Sequence, residues 1–452
     1  MTKDMTQGSP LRLLIYFSIP LLLGSFFQQL YNLVDTIIVG RYLGIQALSA
    51  VGSTVSISYL VTGFCTGICN GFAIPVAQQF GAKDYRMMRK YVINSAYLAV
   101  GISIVFTLVT VILCRSILAV IKTPGEIMEQ SFAYLVVIFA GLPFTILYNM
   151  TAGIIRALGD SKRPFYFLLA ATIINVVLDL LFIIGLGMDV EGAAYATVIS
   201  QAFSGISCLI YMKKKYEILK ADKNECQWDK TCAGILCKMG IPLGMLNCIT
   251  GIGTVMLQGA VNSLGMAYVA AYTAVSKLKQ FTINPYMSLD TAVATYTSQN
   301  YGARKIDRVY KGVKAGLFIY SMISVVMIIL LVFAGDKIAL IFVDSSETDV
   351  LKNVDLFFNC CGPFYAVIVV LNCFRSVIQG LGYSSASMAA GVCELAGRAV
   401  MALLVIPAVG YIGVCFTDAA AWVLAAVCVV VMYWKIMKRI NRNELAVEGK
   451  RR

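Results

Sequence analysis

Apolar residues in this chain run on almost unbroken for twenty or more positions, stop at a few basic or polar residues, and resume, from Leu13 to Met437. Crossing roughly 30 Å of hydrocarbon takes about 20 helical residues at 1.5 Å each. About twelve runs have that length: 12–38, 46–78, 91–114, 130–154, 164–187, 192–212, 234–260, 268–298, 312–334, 353–378, 386–407 and 412–435. A membrane barrel would need alternating strands of about ten residues, whereas these runs are continuously apolar and interrupted by Gly and Pro, as membrane helices often are. The pattern predicts an all-α polytopic membrane protein with twelve transmembrane helices. The first run shows no small-residue cleavage site ahead of polar sequence, so it is expected to be a first span and not a signal peptide.

Composition agrees. Of 452 residues, 59% are hydrophobic and 13% charged, with a mean hydropathy of +0.78, which is too apolar for a surface that faces water. The expected partner is the lipid bilayer. The net charge of +13 would suit nucleic acid, but the basic residues sit in alternate loops beside the spans, the positive-inside pattern, so no nucleic-acid partner is expected. One side holds Lys83, Arg86, Arg89, Lys90, Lys162, Arg163, Lys213 to Lys215, Arg304, Lys305, Arg308 and the tail from Lys435 to Arg452. The other holds Arg41, Arg115, Lys122, Lys337 and Lys352 among acids such as Asp344, Glu347 and Asp349. Both termini are therefore expected in the cytoplasm. The fourteen cysteines are scattered through the spans and there is no histidine; we read them as small apolar packing residues and expect no metal site. No histidine, metal motif, nucleophile elbow or phosphate-binding loop points to an enzyme, an ATP-driven pump or a cofactor.

The chain repeats itself. Ile19-Pro20 returns as Ile241-Pro242, Leu43-Gly44 as Leu264-Gly265, and Gln78-Gln79-Phe80-Gly81-Ala82-Lys83 as Gln299-Asn300-Tyr301-Gly302-Ala303-Arg304. Pro143-Phe144 returns as Pro363-Phe364, and Leu158-Gly159 as Leu381-Gly382, all at a shift of about 220 residues. We divide the chain into an amino-terminal six-helix lobe (1–215), a basic cytoplasmic linker (216–232), a carboxy-terminal six-helix lobe (233–440) and a basic cytoplasmic tail (441–452). A shift of six spans is even, so the halves share one orientation and relate by an axis along the membrane normal. Two such lobes can rock about a central cavity. Gly63, Gly67 and Gly71 make a smooth helix face for close packing.

The run Gln28-Gln29-Leu30-Tyr31-Asn32-Leu33-Val34-Asp35, the Gln-x-x-Gly-Ala turns of both halves and Arg156-Ala157-Leu158-Gly159-Asp160 resemble the multidrug and toxic compound extrusion (MATE) family over nearly the whole chain. Within it the chain is most similar to the bacterial branch of DinF-like and MepA-like exporters. The resemblance implies twelve helices in two pseudo-symmetric lobes around a V-shaped cavity in the bacterial inner (plasma) membrane. It also implies proton- or sodium-coupled efflux of amphipathic, often cationic, compounds.

A carboxylate in hydrocarbon costs several kcal/mol unless paired or hydrated, which makes each intramembrane acid a functional candidate. Helix arithmetic puts Asp35 roughly 9 Å, Asp179 roughly 13 Å and Thr197 roughly 10 Å below the outer boundary, at a shared level. Asn175 and Asp179 are four apart, as are Ala193 and Thr197, so each pair occupies one helix face. Two carboxylates, an amide oxygen, a hydroxyl and a backbone carbonyl supply the hard oxygen ligands a small cation prefers, and two carboxylates in one dry site can equally share a proton. The resemblance implies the same five positions as the cation-coupling site, with Ala193 giving its carbonyl. The alternative is that both aspartates only hydrogen-bond across the bundle. Pro20 permits a bend in the first span; the resemblance implies a hinge, and a static packing kink is the other reading.

The second half does not repeat this cluster: positions matching Asp35 fall near Met256 and Leu257, and those matching Asp179 near Val400. It has Lys277, Lys279, Asp290, Arg375, Glu394, Arg398 and Asp418 instead, a near balance of signs that suggests buried pairing over a substrate or charge network. Glu394 and Arg398, four apart, are the expected pair. Asp418, which aligns with Thr197, is the one most readily assigned to function. This half departs from sodium-dependent members of the family, which carry acids on the seventh and tenth spans; here Gln258 and Asn372 lie nearby instead. The nearest rival function is a lipid or lipid-linked oligosaccharide flippase, whose cavity should be dominated by basic residues. Nothing requires a partner subunit, so a monomer is expected.

Overall fold

A computed structural model describes residues 3–340 and 343–449, apart from the side chains of 223, 336 and 444–449; Lys450 to Arg452 of the expected basic tail lie outside the described residues. Helices α1 (Pro10–Leu43), α2 (Ile45–Ala82), α3 (Tyr85–Ile112), α4 (Gly125–Ala140 and Leu142–Ala157), α5 (Lys162–Gly185) and α6 (Val190–Lys215) make up the first half. The second half has α7 (Lys230–Asn262), α8 (Met266–Gly302), α9 (Ile306–Ala339), α10 (Thr348–Gly380), α11 (Ser384–Val409) and α12 (Tyr411–Gly449). Each predicted span falls on one of these twelve, with ends that differ by a few residues except in α12, whose helix runs on past 435 to Gly449. Ten are long and apolar enough to cross a membrane, and α4 makes eleven when its two pieces count as one span. The twelfth, α8, is less apolar because it carries Lys277, Lys279, Asp290 and a run of Thr, Ser, Asn and Gln. The chain is a multi-pass integral membrane protein.

Apart from the two Ile-Pro pairs, which stay inside α1 and α7, the repeated dipeptides turn out to be corners and breaks. Asp84 N–H donates to the Gln79 carbonyl and Lys83 N–H to Phe80; in the second half Lys305 N–H donates to Asn300 and Arg304 N–H to Tyr301. Lys83 and Arg304 accordingly both take positive φ, 60° and 56°. Gly159 and Gly382 close α4 and α10 the same way, at φ of 86° and 87°, with the N–H of the following residue reaching back to Ile155 and Ile378. These are left-handed helix caps that satisfy the last carbonyls of a helix. Even the breaks recur. The two pieces of α4 bend by 43° at Gly141, just before Pro143, and α10 tightens to a single three-residue turn at Gly362–Phe364, because proline has no N–H for the preceding turn.

The chain divides into two compact units. Unit 1 comprises Met1–Gly8, Ile15–Cys248 and Ser298–Lys305; unit 2 comprises Ser9–Leu14, Ile249–Thr297 and Ile306–Arg452. The first part of α7 belongs to unit 1 because the glycine face of α2 seats it. A side chain at Gly67 would lie 2.5 Å from the Leu243 carbonyl and one at Gly71 would strike Gly240, while Asn247 donates to the Gly63 carbonyl at 2.7 Å. Small residues let helix backbones touch, as in many membrane bundles.

The linker is fixed to unit 1. Arg89 on α3 grips Glu225 through Nε at 2.6 Å and Nη2 at 2.7 Å. Tyr97 donates to the Cys226 carbonyl and Asp229 N–H to Asn94. The guanidinium holds the Glu225 carboxyl down at about 2, as two-pronged charged hydrogen bonds do.

Candidate functional site

Unit 1 brings the predicted acids together. Asp35 on α1 is 8% exposed, and Asn175 and Asp179 on α5 are 1% and 0% exposed. Asp35 and Asp179 are close enough for their charges to interact. Neither oxygen of Asp179, neither amide atom of Asn175 and not Oδ1 of Asp35 meets a hydrogen-bonding partner. Thr197 on α6 shares a hydrogen bond of 3.1 Å with the Tyr31 hydroxyl. Ala193 is fully buried in an apolar cluster with Ile38, Val39, Ala47, Ile183 and Val190 that locks α1, α5 and α6 at this level. The backbone widens into a π-turn just beyond each acid, at Val39–Leu43 after Asp35 and at Leu180–Gly185 after Asp179, a distortion frequent at functional sites.

Two tyrosines complete the site that composition and spacing did not single out. Tyr31 shares the Thr197 hydrogen bond, and Tyr134 packs against the apolar cluster around Ala193. Tyr31 stands four residues before Asp35, so it shares its helix face, and that spacing could have found it. Tyr134 comes from α4, and no spacing along one helix could have. From the site a narrow cleft continues between the polar side chains of Gln28, Tyr31, Asn175 and Thr197 and the apolar Leu168 and Ala171; about 20 Å³ of it is open to water, room for one or two molecules. Pro20 is buried and α1 runs helical through it.

Unit 2 arranges its charges differently. Asp418 on α12 pairs with Lys279 on α8 and, at 3.3 Å, with Arg398 on α11. Arg398 reaches Glu394 at 2.9 Å, and Glu394 reaches Arg375 on α10 at 2.9 Å. Five residues thus form one chain of ion pairs, in which Arg375 Nε and Arg398 Nη1 are buried without a hydrogen-bonding partner. Asp290 sits apart, accepting from the hydroxyls of Tyr320 and, at 3.2 Å, Ser376. Lys277 does not join the chain: it is exposed, since a residue two positions from Lys279 projects from another side of the helix. Gln258 donates to Asn262 at 2.9 Å.

An all-helical, multi-pass membrane protein with an inner acidic site and two copies of one helical unit is built as a transporter. The MatE family model matches residues 20–181 and again 242–404, the two copies starting at Pro20 and Pro242, and the chain belongs to the MATE family of transporters. It is 32% identical over 306 residues to the "Probable multidrug resistance protein YpnP" of Bacillus subtilis (strain 168), covering 68% of each chain. It is 23% identical over 397 residues to the "Multidrug export protein MepA" of Staphylococcus haemolyticus, covering 88% of this chain and 85% of that one. Its fold matches the crystal structure of a MATE protein in complex with MaL6 at a TM-score of 0.91 and 21% identity, covering 98% of this chain and 100% of that one.

Proposed function

We propose that this transporter exports drug-like organic compounds, amphipathic and often cationic, from the cytoplasm across the bacterial inner membrane in exchange for an inward-moving proton or sodium ion, by alternating access. The names of its relatives support drugs as cargo. The observation that carries the coupling is the orphaned carboxylate pair: Asp179 is buried with no donor on either oxygen, beside Asp35. Burying an ionised carboxylate without compensation is prohibitive, so the site calls for a proton or a small cation that comes and goes. Asp35, Asn175, Asp179, Thr197 and the Ala193 carbonyl would hold that ion, which is cargo and not a cofactor. The basic loops support cytoplasmic termini.

Energetics constrain the cycle. One positive charge moving inward across 100 mV releases about 2.3 kcal/mol, and a tenfold concentration difference costs about 1.4 kcal/mol. One proton exchanged for one monovalent drug cation gains nothing from voltage and runs on the ion gradient alone; a neutral drug draws on both. The flippase reading is weaker, because of the three bases that favour it, Lys277, Lys279 and Arg375, two face carboxylates and Lys277 alone stands outside the ion-pair chain.

Ethidium efflux from vesicles under separately imposed proton and sodium gradients tests the proposal. Gradient-driven efflux that is lost in Asp35→Asn places coupling at that residue and names the ion. Full efflux in Asp35→Asn contradicts it.

A further inference from the structure

In the segment ahead of α1, Met5 and Thr6 are buried, 0% and 4% exposed, while Lys3 stays exposed. Lys3 N–H donates to the Leu158 carbonyl at 3.0 Å, and Gly159 admits this approach because a side chain there would strike the Lys3 carbonyl. Met5 N–H donates to Gln299 Oε1 at 2.8 Å, and the same amide donates from Nε2 to the Ala157 carbonyl at 2.8 Å. Asn300 Nδ2 donates to the Met5 carbonyl at 3.2 Å, and Lys305 Nζ reaches the Thr6 carbonyl at 3.0 Å. The segment is therefore bonded at once to the end of α4 and to the end of α8.

Those ends meet α2 at the repeated Gln-x-x-Gly motif. A side chain at Gly81 would strike the Gln299 carbonyl, and one at Gly302 would strike the Gln78 carbonyl. The repeat is thus self-complementary: each copy sets its glycine against the glutamine backbone of the other. Every residue of this contact lies within unit 1 and beside the basic loops.

We propose that Lys3–Thr6 is a latch that holds the ends of α4 and α8 together beside the crossing of α2 and α8, and that it must release when the transporter opens on the basic side. The functional half of this inference rests on the alternating-access reading above. The physical argument is geometric: a four-residue segment bonded to both α4 and α8 cannot follow both if they part. Gln299 is the pin. It is fully buried, and its oxygen and nitrogen bind different segments, so parting leaves a buried amide to be rehydrated.

Two experiments on the full-length protein in nanodiscs test it. In Gln299→Ala, hydrogen exchange at 3–6, 157–161 and 298–305 is expected to quicken at least tenfold, with α5 unchanged as a check on the fold; unchanged exchange at all three overturns the latch. In a cysteine-free background, Met5→Cys with Asn300→Cys is oxidised and then reduced. Ethidium efflux is expected to fall at least tenfold on oxidation and return on reduction; equal efflux in both forms overturns the need for release. Exchange requires no transported compound, so the latch and the export reading can fail separately.

Discussion

The two halves share their corners and differ in their charges. The regular turns of α5 give way after Asp179 to the wider Leu180–Gly185; those of its counterpart α11 give way after Val400 to Met401–Val405. In the first half two acids and an amide stand buried without partners. In the second, Lys279, Asp418, Arg398, Glu394 and Arg375 neutralise one another in series. One backbone therefore accommodates either arrangement. A buried ion pair roughly balances its desolvation against mutual attraction, whereas an orphaned acid costs stability and persists where it binds something. On the proposed function, the contrast separates an ion site from a brace.

The largest expected effect comes from breaking the brace. Arg398→Met leaves Glu394 and Asp418 short of a cation, and should cost about 3–5 kcal/mol, read as a clear fall in thermal unfolding temperature in detergent. Asp179→Asn should do the reverse: gradient-driven efflux falls to background while the unfolding temperature holds or rises, since an uncompensated acid has gone. A fall in both would make Asp179 structural. Tyr31→Phe removes one hydrogen bond to Thr197 and should weaken ion binding by about 0.5–1.5 kcal/mol, up to roughly tenfold in the half-saturating ion concentration.

The smallest effect lies outside the membrane. The Glu225 carboxyl is held at about 2 by Arg89, below the ordinary value of about 4.3. The pair's contribution is therefore complete above about pH 4.3 and disappears as pH falls toward 2. Trp228, whose ring lies 6.3 Å from Tyr97, should report this: its fluorescence stays constant from pH 8 to 5 and changes below about pH 4. A transition near neutral pH would mean that another group holds the linker.

Most spans, both sets of corners and the Asp35, Asn175, Asp179 and Thr197 level were legible in the sequence, because length, glycine chemistry and four-residue spacing act along one helix. Glu394 with Arg398 was legible for the same reason. Tyr134, the Lys279–Asp418 pair and the exclusion of Lys277 were not, since they depend on how each helix is rotated toward its neighbours. The burial of Met5 and Thr6 was also hidden: the segment bonds mostly through its own backbone atoms, which leave no trace in residue type. The linker read as a basic loop because its one buried acid, Glu225, finds a partner more than a hundred positions away.

The most direct test measures protons and sodium ions released when ethidium binds the purified transporter, comparing wild type with Asp179→Asn and with Lys279→Met/Asp418→Leu, which removes a paired acid and base together. The account predicts ion release from wild type and from the double variant, and none from Asp179→Asn. Release that survives in Asp179→Asn, or vanishes only in the double variant, would place coupling in the second half and contradict it.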